Sequence, residues 1–282
     1  MANHRKLKQG LYNPKNEHDS CGVGFIANIQ GKKSHSIVKQ GLEILTNLTH
    51  RGATGYDPKL GDGAGLLIQI PDEFFRMEAK NLKIKLPDTG YYAVGMIFLP
   101  QLKIAREKCE AIISKLIQEE GQTEIGWRKV PINNKNIASA ARDVEPVIKQ
   151  VIISRSDDCI SEDDFERKLF VIRKRIEIEV KNLNIQDPAN FYITSMSSRT
   201  IVYKGMLLAN EVGVYFEDLL NKLVQSAIAL VHQRFSTNTF PSWELAHPYR
   251  IIAHNGEINT VQGNVNWMNA RREKMHSILL HK

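Results

Sequence analysis

Hydrophobic and polar positions recur along the chain with two different periods, and these periods predict a mixture of strands and helices. Residues 22–29 alternate small and apolar side chains, as a strand with one buried face does. The following apolar positions recur every three or four residues, which predicts a helix with Ser34 as its N-cap. These positions are Val38, Leu42, Leu45 and Leu48.

Similar segments continue through most of the chain. Further helices are predicted at residues 72–80, 104–119 and 165–180. Further strands are predicted at residues 64–70, 91–99, 123–130, 147–153, 191–196, 200–203 and 227–232. The sequence contains no internal repeat, low-complexity tract or clear linker. The pattern therefore predicts layered α and β elements in one large domain or two small ones, and leaves the strand directions open.

Composition excludes several classes of protein. With 282 residues, 42% hydrophobic and 24% charged, the chain is long and apolar enough to bury a substantial core, unlike a disordered or fibrous protein. Apolar runs such as residues 227–231 are far too short to cross a bilayer. The first 20 residues are polar and lack the hydrophobic region of a signal peptide. We therefore expect a cytoplasmic protein that makes no membrane contact.

The formal net charge of +7 raises the question of nucleic acid binding. The basic clusters are short, and two of them lie in segments with the pattern of amphipathic helices: residues 173–175 and 271–272. No aromatic residues interleave with them to form a stacking platform for single strands. Solvated helix faces are therefore favoured over a nucleic acid interface.

The sequence offers little for a disulfide framework or a metal site. Cysteines occur at positions 21, 109 and 159, an odd number without CxxC spacing. The histidines at 232, 247 and 254 lack the spacing of metal ligands on a helix. We expect reduced thiols and no metal in this chain.

Cys21 lies at the junction between a polar leader and the first predicted strand. Cleavage after Ser20 would place its thiol beside a free α-amine, a base with a pKa of about 7.7–8.0 against about 8.5 for the thiol. Position 21 would then hold a nucleophile and its base in one residue. The alternative is a small buried hydrophobic residue that opens the strand.

Residues 50–65 form a glycine-rich stretch that precedes a predicted strand. Five glycines and one proline exclude regular structure here. Residues 61–65 superficially resemble a phosphate-binding loop, but such a loop follows a strand and opens a helix. A conformationally demanding loop is favoured instead. Within it, Arg51 is either a surface charge or a residue directed into a site.

A second polar cluster follows the last predicted strand. Arg234 has the planar fork that binds a carboxylate through two hydrogen bonds, although a surface arginine in a hydroxyl-rich turn is an equal alternative. Asn255 and Gly256 form a hairpin-turn dipeptide that also supplies two donors able to converge on an oxyanion. His254 is a candidate general base, but a structural histidine at a strand end is favoured.

Several motifs, in order along nearly the whole chain, resemble the glutaminase domain of the large subunit of bacterial-type glutamate synthase. The motifs are EHDSCGVG (17–24), HRG (50–52), GDGAG (61–65), IGWR (125–128), IVYKG (201–205), HQRFSTNTFPSW (232–243), AHNGEINT (253–260) and GNVNWM (263–268). Because these large subunits are several times longer, the resemblance implies the N-terminal part of such a subunit, truncated at Lys282.

The resemblance implies a class II glutamine amidotransferase with the N-terminal-nucleophile hydrolase fold. That α+β fold stacks two antiparallel sheets between helical layers in a four-layer α-β-β-α arrangement, which is expected to be incomplete at the C-terminus here. Residues 1–20 correspond to a propeptide, and residues 21–282 to the amidotransferase domain.

The resemblance also implies a role for each candidate residue. Cys21 is the nucleophile, Asn255 and the Gly256 N–H form the oxyanion hole, and Arg51 supports the site. Arg234 binds the glutamine α-carboxylate, with Thr237 nearby.

The implied reaction is the hydrolysis of L-glutamine to glutamate and ammonia through a Cys21 thioester. In the full-length enzyme, ammonia passes to synthase domains of the same polypeptide, which use flavin mononucleotide (FMN) and an iron–sulfur cluster, with a small reductase subunit as a further partner. No cofactor is expected in this chain. The alternatives are an inactive fragment and another amidohydrolase of the same fold.

Overall fold

Two antiparallel sheets of four strands form the centre of the molecule. The computed structural model describes residues 22–52, 54, 57–187, 189–236, 239–254, 256, 260–277 and 279. One sheet has the order β1-β8-β2-β7 and the other the order β4-β5-β3-β6. The strands are β1 Val23–Ala27, β2 Ala64–Gln69, β3 Tyr92–Leu99, β4 Thr123–Lys129, β5 Val147–Ser154, β6 Tyr192–Ser197, β7 Thr200–Gly205 and β8 Ile228–Gln233.

Helices flank both sheets. The described helices are α1 His35–Asn47, α2 Asp72–Leu82, α3 Lys103–Glu119, α4 Ser139–Asp143, α5 Glu162–Asn182, α6 Val212–Tyr215 and α7 Val261–Arg271. Each predicted strand and each predicted long helix is present, and the α+β prediction of two antiparallel sheets with flanking helices is confirmed. No helix in the described residues is long and apolar enough to cross a membrane.

Two hydrophobic cores hold these layers together. In one, helices α3 and α5 bury residues such as Ile113 and Phe165 against Ile97 and Ile153 of the second sheet. In the other, α1 packs on the first sheet, where a Cβ at Gly41 would lie 2.7 Å from Ala229. Burial of continuous apolar faces on both sheets accounts for the stability of the layered arrangement.

The predicted N-cap of α1, Ser34, is confirmed, although its side chain makes no capping hydrogen bond and its backbone pairs with Ser226. The expectation for one basic cluster needs correction. Arg173, expected on a solvated helix face, is only 5% exposed and donates to Glu177 at 2.6 Å. The basic run at 173–175 is therefore partly internal, because α5 turns this residue toward the second sheet.

Strand register places four residues in one row across the first sheet. Val23 pairs with His232, His232 with Gly65, and Gly65 with Lys204. Because neighbouring strands are antiparallel, β1 and β2 begin at the same edge at which β7 and β8 end. The loops that leave this edge carry most of the candidate residues.

Candidate active site

Three consecutive residues at the end of β8 each hold a different loop at this edge. The His232 Nε2 atom donates to the His254 carbonyl at 2.7 Å. The Gln233 backbone N–H donates to the Gly22 carbonyl at 2.6 Å, and the Arg234 N–H donates to the Gly63 carbonyl at 2.8 Å. The end of β8 therefore gathers the starts of β1 and β2 and the loop that contains residue 254.

The Arg234 guanidinium is oriented from two sides. Its Nη1 donates to the Asp62 backbone carbonyl at 3.1 Å, and its Nη2 donates to Thr239 Oγ1 at 2.7 Å. The side chain is neither fully buried nor fully exposed. These two contacts fix a planar group at the end of a long and flexible side chain, so the guanidinium is preorganised at the edge of the sheet.

The carboxylate of Asp62 organises the turn that follows Arg234. It is only 6% exposed and accepts a hydrogen bond from the Ser236 backbone N–H at 2.6 Å. Ser236 Oγ in turn donates to the Thr239 carbonyl at 2.6 Å. Sequence reasoning missed Asp62; the signal available was an acidic residue between two glycines in a loop of unusual composition.

Close packing explains the glycines of this loop. A Cβ at Gly61 would lie 2.4 Å from the Leu207 carbonyl oxygen, and one at Gly65 would lie 2.5 Å from the His247 carbonyl oxygen. Real Cβ atoms do not tolerate such distances, so only glycine lets these backbone segments meet. This geometry supports the expectation of a conformationally demanding loop over a phosphate cradle.

Arg51 ends a short 3-10 helix, Thr49–Arg51, and Gly52 is its C-cap residue. Gly52 lies flat against Gln233, since a Cβ at Gly52 would be 2.2 Å from Gln233 Nε2. Gln233 is 1% exposed. Gln233 therefore contacts the turn that contains Arg51 with its side chain and binds Gly22 with its backbone.

Three histidines and a tyrosine stack beside the end of β8. The His247 ring centroid lies 4.5 Å from that of His232, 4.1 Å from that of Tyr249 and 5.0 Å from that of His254. Burial lowers the pKa of His232 to about 4 and that of His247 to about 3, so both rings are neutral near pH 7.

Gly256 and His254 also contact each other. The Gly256 N–H donates to His254 Nδ1 at 3.2 Å, within an exposed turn. His254 Nδ1 is thus a hydrogen-bond acceptor for the backbone in this structure.

Cys21, Thr237 and Asn255 lie outside the described residues. The structure therefore gathers Arg234, the Arg51 turn, His254 and Gly256 around the end of β8. Within the described residues, no group of three His, Cys, Asp or Glu side chains is arranged to hold a metal ion.

This fold and this arrangement agree with the match to known families. The family model for glutamine amidotransferases class-II matches residues 21–282. The chain belongs to the class II glutamine amidotransferases, so the prediction of an enzyme of this class is confirmed.

Curated relatives refine the comparison. The chain is 52% identical over 269 residues to the NADPH glutamate synthase large chain of Bacillus subtilis, covering 95% of this chain and 17% of the relative. It is 47% identical to the corresponding large chain of Azospirillum brasilense, covering 94% of this chain and 17% of the relative. It is 42% identical to a ferredoxin-dependent glutamate synthase of Arabidopsis thaliana, covering 92% of this chain and 16% of the relative. The predicted resemblance to glutamate synthase is confirmed, and the chain spans about a sixth of the length of these relatives.

Proposed function

We propose that this chain hydrolyses L-glutamine to glutamate and ammonia, with Cys21 as the nucleophile after removal of residues 1–20. One observation carries the proposal: Gln233 binds the Gly22 carbonyl at 2.6 Å. Gly22 follows Cys21 and Gln233 precedes Arg234, so this bond brings the two candidate residues to neighbouring strand ends. A nucleophile and a carboxylate-binding arginine on adjacent strand ends suit a substrate that has an α-carboxylate and a side-chain amide.

In the first half of the reaction, the α-amine of Cys21 accepts the thiol proton and Sγ attacks the amide carbon of glutamine. Arg234 binds the α-carboxylate, with Thr237 nearby. Asn255 and the Gly256 N–H stabilise the tetrahedral oxyanion, for which one well-placed donor contributes about 3–4 kcal/mol in other enzymes. The Gly256 N–H leaves His254 Nδ1 to do so, and Arg51 supports the site.

Collapse of the tetrahedral intermediate breaks the C–N bond. The α-ammonium of Cys21 returns its proton to the leaving amine, and ammonia departs from a γ-glutamyl thioester. In the second half, the α-amine takes a proton from water, which attacks the thioester carbon. The C–S bond then breaks, glutamate leaves and the thiol is restored.

For the full-length protein we propose glutamate synthase activity, because the curated relatives have that name. Ammonia would pass to synthase domains of the same polypeptide that aminate 2-oxoglutarate with FMN and an iron–sulfur cluster, and a small reductase subunit would be a partner. The described residues do not fit a cluster site, since Cys109 and Cys159 are separately buried and no three-residue ligand group is present among them.

The test combines intact-mass measurement with glutamate release from glutamine. We expect a chain that begins at Cys21, with turnover abolished by Cys21→Ser. Cys109→Ala is the matched control, because Cys109 is buried on α3 and burial raises its thiol pKa to about 11. A glutamine-like electrophile should label Cys21 alone. A chain that keeps residues 1–20 and is not labelled would overturn the proposal.

A further inference from the structure

Lys204 is a lysine buried without a carboxylate partner among the contacts that the structure describes. It is 0% exposed, and its Nζ donates to the Glu244 carbonyl at 2.8 Å and to the Ala246 carbonyl at 2.7 Å. The Tyr192 and Tyr249 rings face the same nitrogen, each with its centroid at 4.5 Å. Burial lowers the pKa of Lys204 well below its usual range. Burying the charged form of a lysine costs free energy, so its contacts with the carbonyls of residues 244 and 246 need an explanation.

The segment held by Lys204 lies directly on the first sheet. A Cβ at Gly65 would lie 2.5 Å from the His247 carbonyl oxygen, so the missing side chain makes room for residue 247 on the sheet. Gly65 is paired with Lys204 on one side and His232 on the other. The His247 ring then stacks on the His232 ring, at 4.5 Å between centroids.

His232 holds the other end of the same segment. Because a carbonyl only accepts, the 2.7 Å contact between His232 Nε2 and the His254 oxygen requires a proton on Nε2. In the neutral ring Nδ1 is then an acceptor, and this atom is buried with no partner among the described residues. The ring is thus fixed in one tautomer that donates to the peptide bond joining residues 254 and 255.

We propose that Lys204 and His232 are positioning residues for the oxyanion hole: Lys204 fixes residues 244–246 on the sheet, and His232 fixes the carbonyl of the peptide bond that enters Asn255. This inference rests on the proposed function, in which Asn255 and Gly256 bind the oxyanion. Neither residue needs to touch the substrate. A displacement of about 1 Å in a catalytic group lowers turnover by roughly 100-fold, so two anchors at the ends of one segment have a large effect.

A set of four variants of the 282-residue chain tests the inference. His232→Phe keeps a stacking ring but removes the donor, whereas His232→Gln keeps a donor near the Nε2 position. Lys204→Met removes the donor to both carbonyls. Lys149→Met is the matched control, because Lys149 is a strand lysine of the other sheet that pairs with Glu110 at 2.7 Å.

The first measurement is glutamine hydrolysis, with kcat and KM determined separately. We expect His232→Phe and Lys204→Met to lower kcat by about 10- to 100-fold with KM changed by less than about threefold. His232→Gln should restore kcat to within about threefold of the parent, and Lys149→Met should match the parent. Alkylation of Cys21 by iodoacetamide should keep its rate in all four variants, since that reaction needs no oxyanion hole.

The second measurement is hydrogen exchange in peptides covering residues 250–260, which does not depend on activity. Exchange should be faster in His232→Phe and Lys204→Met and unchanged in β1 and β8. Unchanged exchange in both variants, or equal loss of kcat in His232→Phe and His232→Gln, would overturn the inference. Should Lys204→Met fail to fold, the two His232 variants decide the question. A parent chain without glutaminase activity would overturn the proposed function, while the exchange data would still test the anchoring of the loop.

Discussion

The Asp62 carboxylate accepts a hydrogen bond from the Ser236 backbone N–H at 2.6 Å, while the backbone carbonyl of Asp62 accepts one from the Arg234 guanidinium at 3.1 Å. One residue of the glycine-rich loop thus holds both the side chain of Arg234 and the turn that follows it. The Asp62 side chain is linked to the Arg234 side chain through Ser236 and Thr239, because Ser236 Oγ bonds Thr239 and Thr239 Oγ1 accepts from Arg234 Nη2.

Asp62→Ala is expected to weaken glutamine binding. Removing the buried carboxylate leaves the Ser236 N–H without its charged acceptor, a loss of about 1.5–3 kcal/mol that corresponds to roughly 10- to 100-fold. The effect should fall on KM more than on kcat, because Arg234 is the residue that we propose binds the non-reacting carboxylate. Asp158→Ala, at an exposed position between β5 and α5, is the control. An unchanged KM in Asp62→Ala would contradict this role.

Arg234→Lys should also raise KM for glutamine, although the charge is kept. A lysine cannot form two parallel hydrogen bonds with a carboxylate while contacting both Asp62 and Thr239. We expect an increase of about 10-fold or more, with Cys21 still reactive toward iodoacetamide. Competitive inhibition by glutamate should weaken in parallel, because glutamate has the same α-carboxylate. Inhibition that stays at the parent level would place the carboxylate elsewhere.

The buried pair of Arg128 and Asp218 is expected to control stability and leave catalysis unaffected. Arg128 donates to the Asp218 carboxylate through both Nη atoms, at 2.8 and 2.7 Å, and both side chains are nearly inaccessible. Asp218→Asn should lower the free energy of unfolding by about 1.5–3 kcal/mol, since Arg128 then loses a charged acceptor and keeps its ion pair with Glu78. Urea denaturation measures this loss.

The double variant Arg128→Met with Asp218→Leu is the control for that pair. Replacing both side chains removes the buried guanidinium that has lost one of its two carboxylates, and the remaining Glu78 is partly exposed, so the double variant should be more stable than Asp218→Asn. Its kcat should stay within about twofold of the parent. A double variant less stable than the single one would show that this pair contributes net stability.

Acid should destabilise the folded chain through the histidine stack. The pKa values of His232 and His247 fall from the ordinary 6.5 to about 4 and about 3 because both rings are buried. Between those values and 6.5 the unfolded state binds more protons, so the stability is fully present above 6.5 and is lost as pH falls toward 4. His232→Phe should reduce the difference in unfolding free energy between pH about 7 and about 5. An equal difference in parent and variant would contradict this.

The sequence predicted the strands well because they show either alternation, as in β1, or a short continuous apolar run, as in β3, whose eight residues are all buried. It did not predict how the strands pair, since periodicity contains no information on which edges meet. Short helices such as α4 and α6 were missed because four or five residues are too few to show a period. The resemblance to glutamate synthase supplied the architecture that periodicity left open.

Some residues of the candidate site could be predicted from the sequence and others could not. Arg51 and Arg234 were singled out because their motifs are distinctive, and the structure places both beside the end of β8. Asp62, Lys204 and His232 were not assigned roles, because their partners are backbone N–H and carbonyl groups, which every residue has. Such contacts leave no signature in side-chain identity and become visible only in three dimensions.

The hydrogen bond between Gln233 and Gly22 bears on how the chain would behave after proteolysis. Strand β1 is paired with β8 from Val23 to Ala27, and the Gly22 carbonyl extends that pairing by one residue. After a cut following Ser20, only one residue, Cys21, would precede Gly22, which is hydrogen-bonded to β8. The new terminus would have little conformational freedom to lose, so removal of the leader would require no refolding of the sheet.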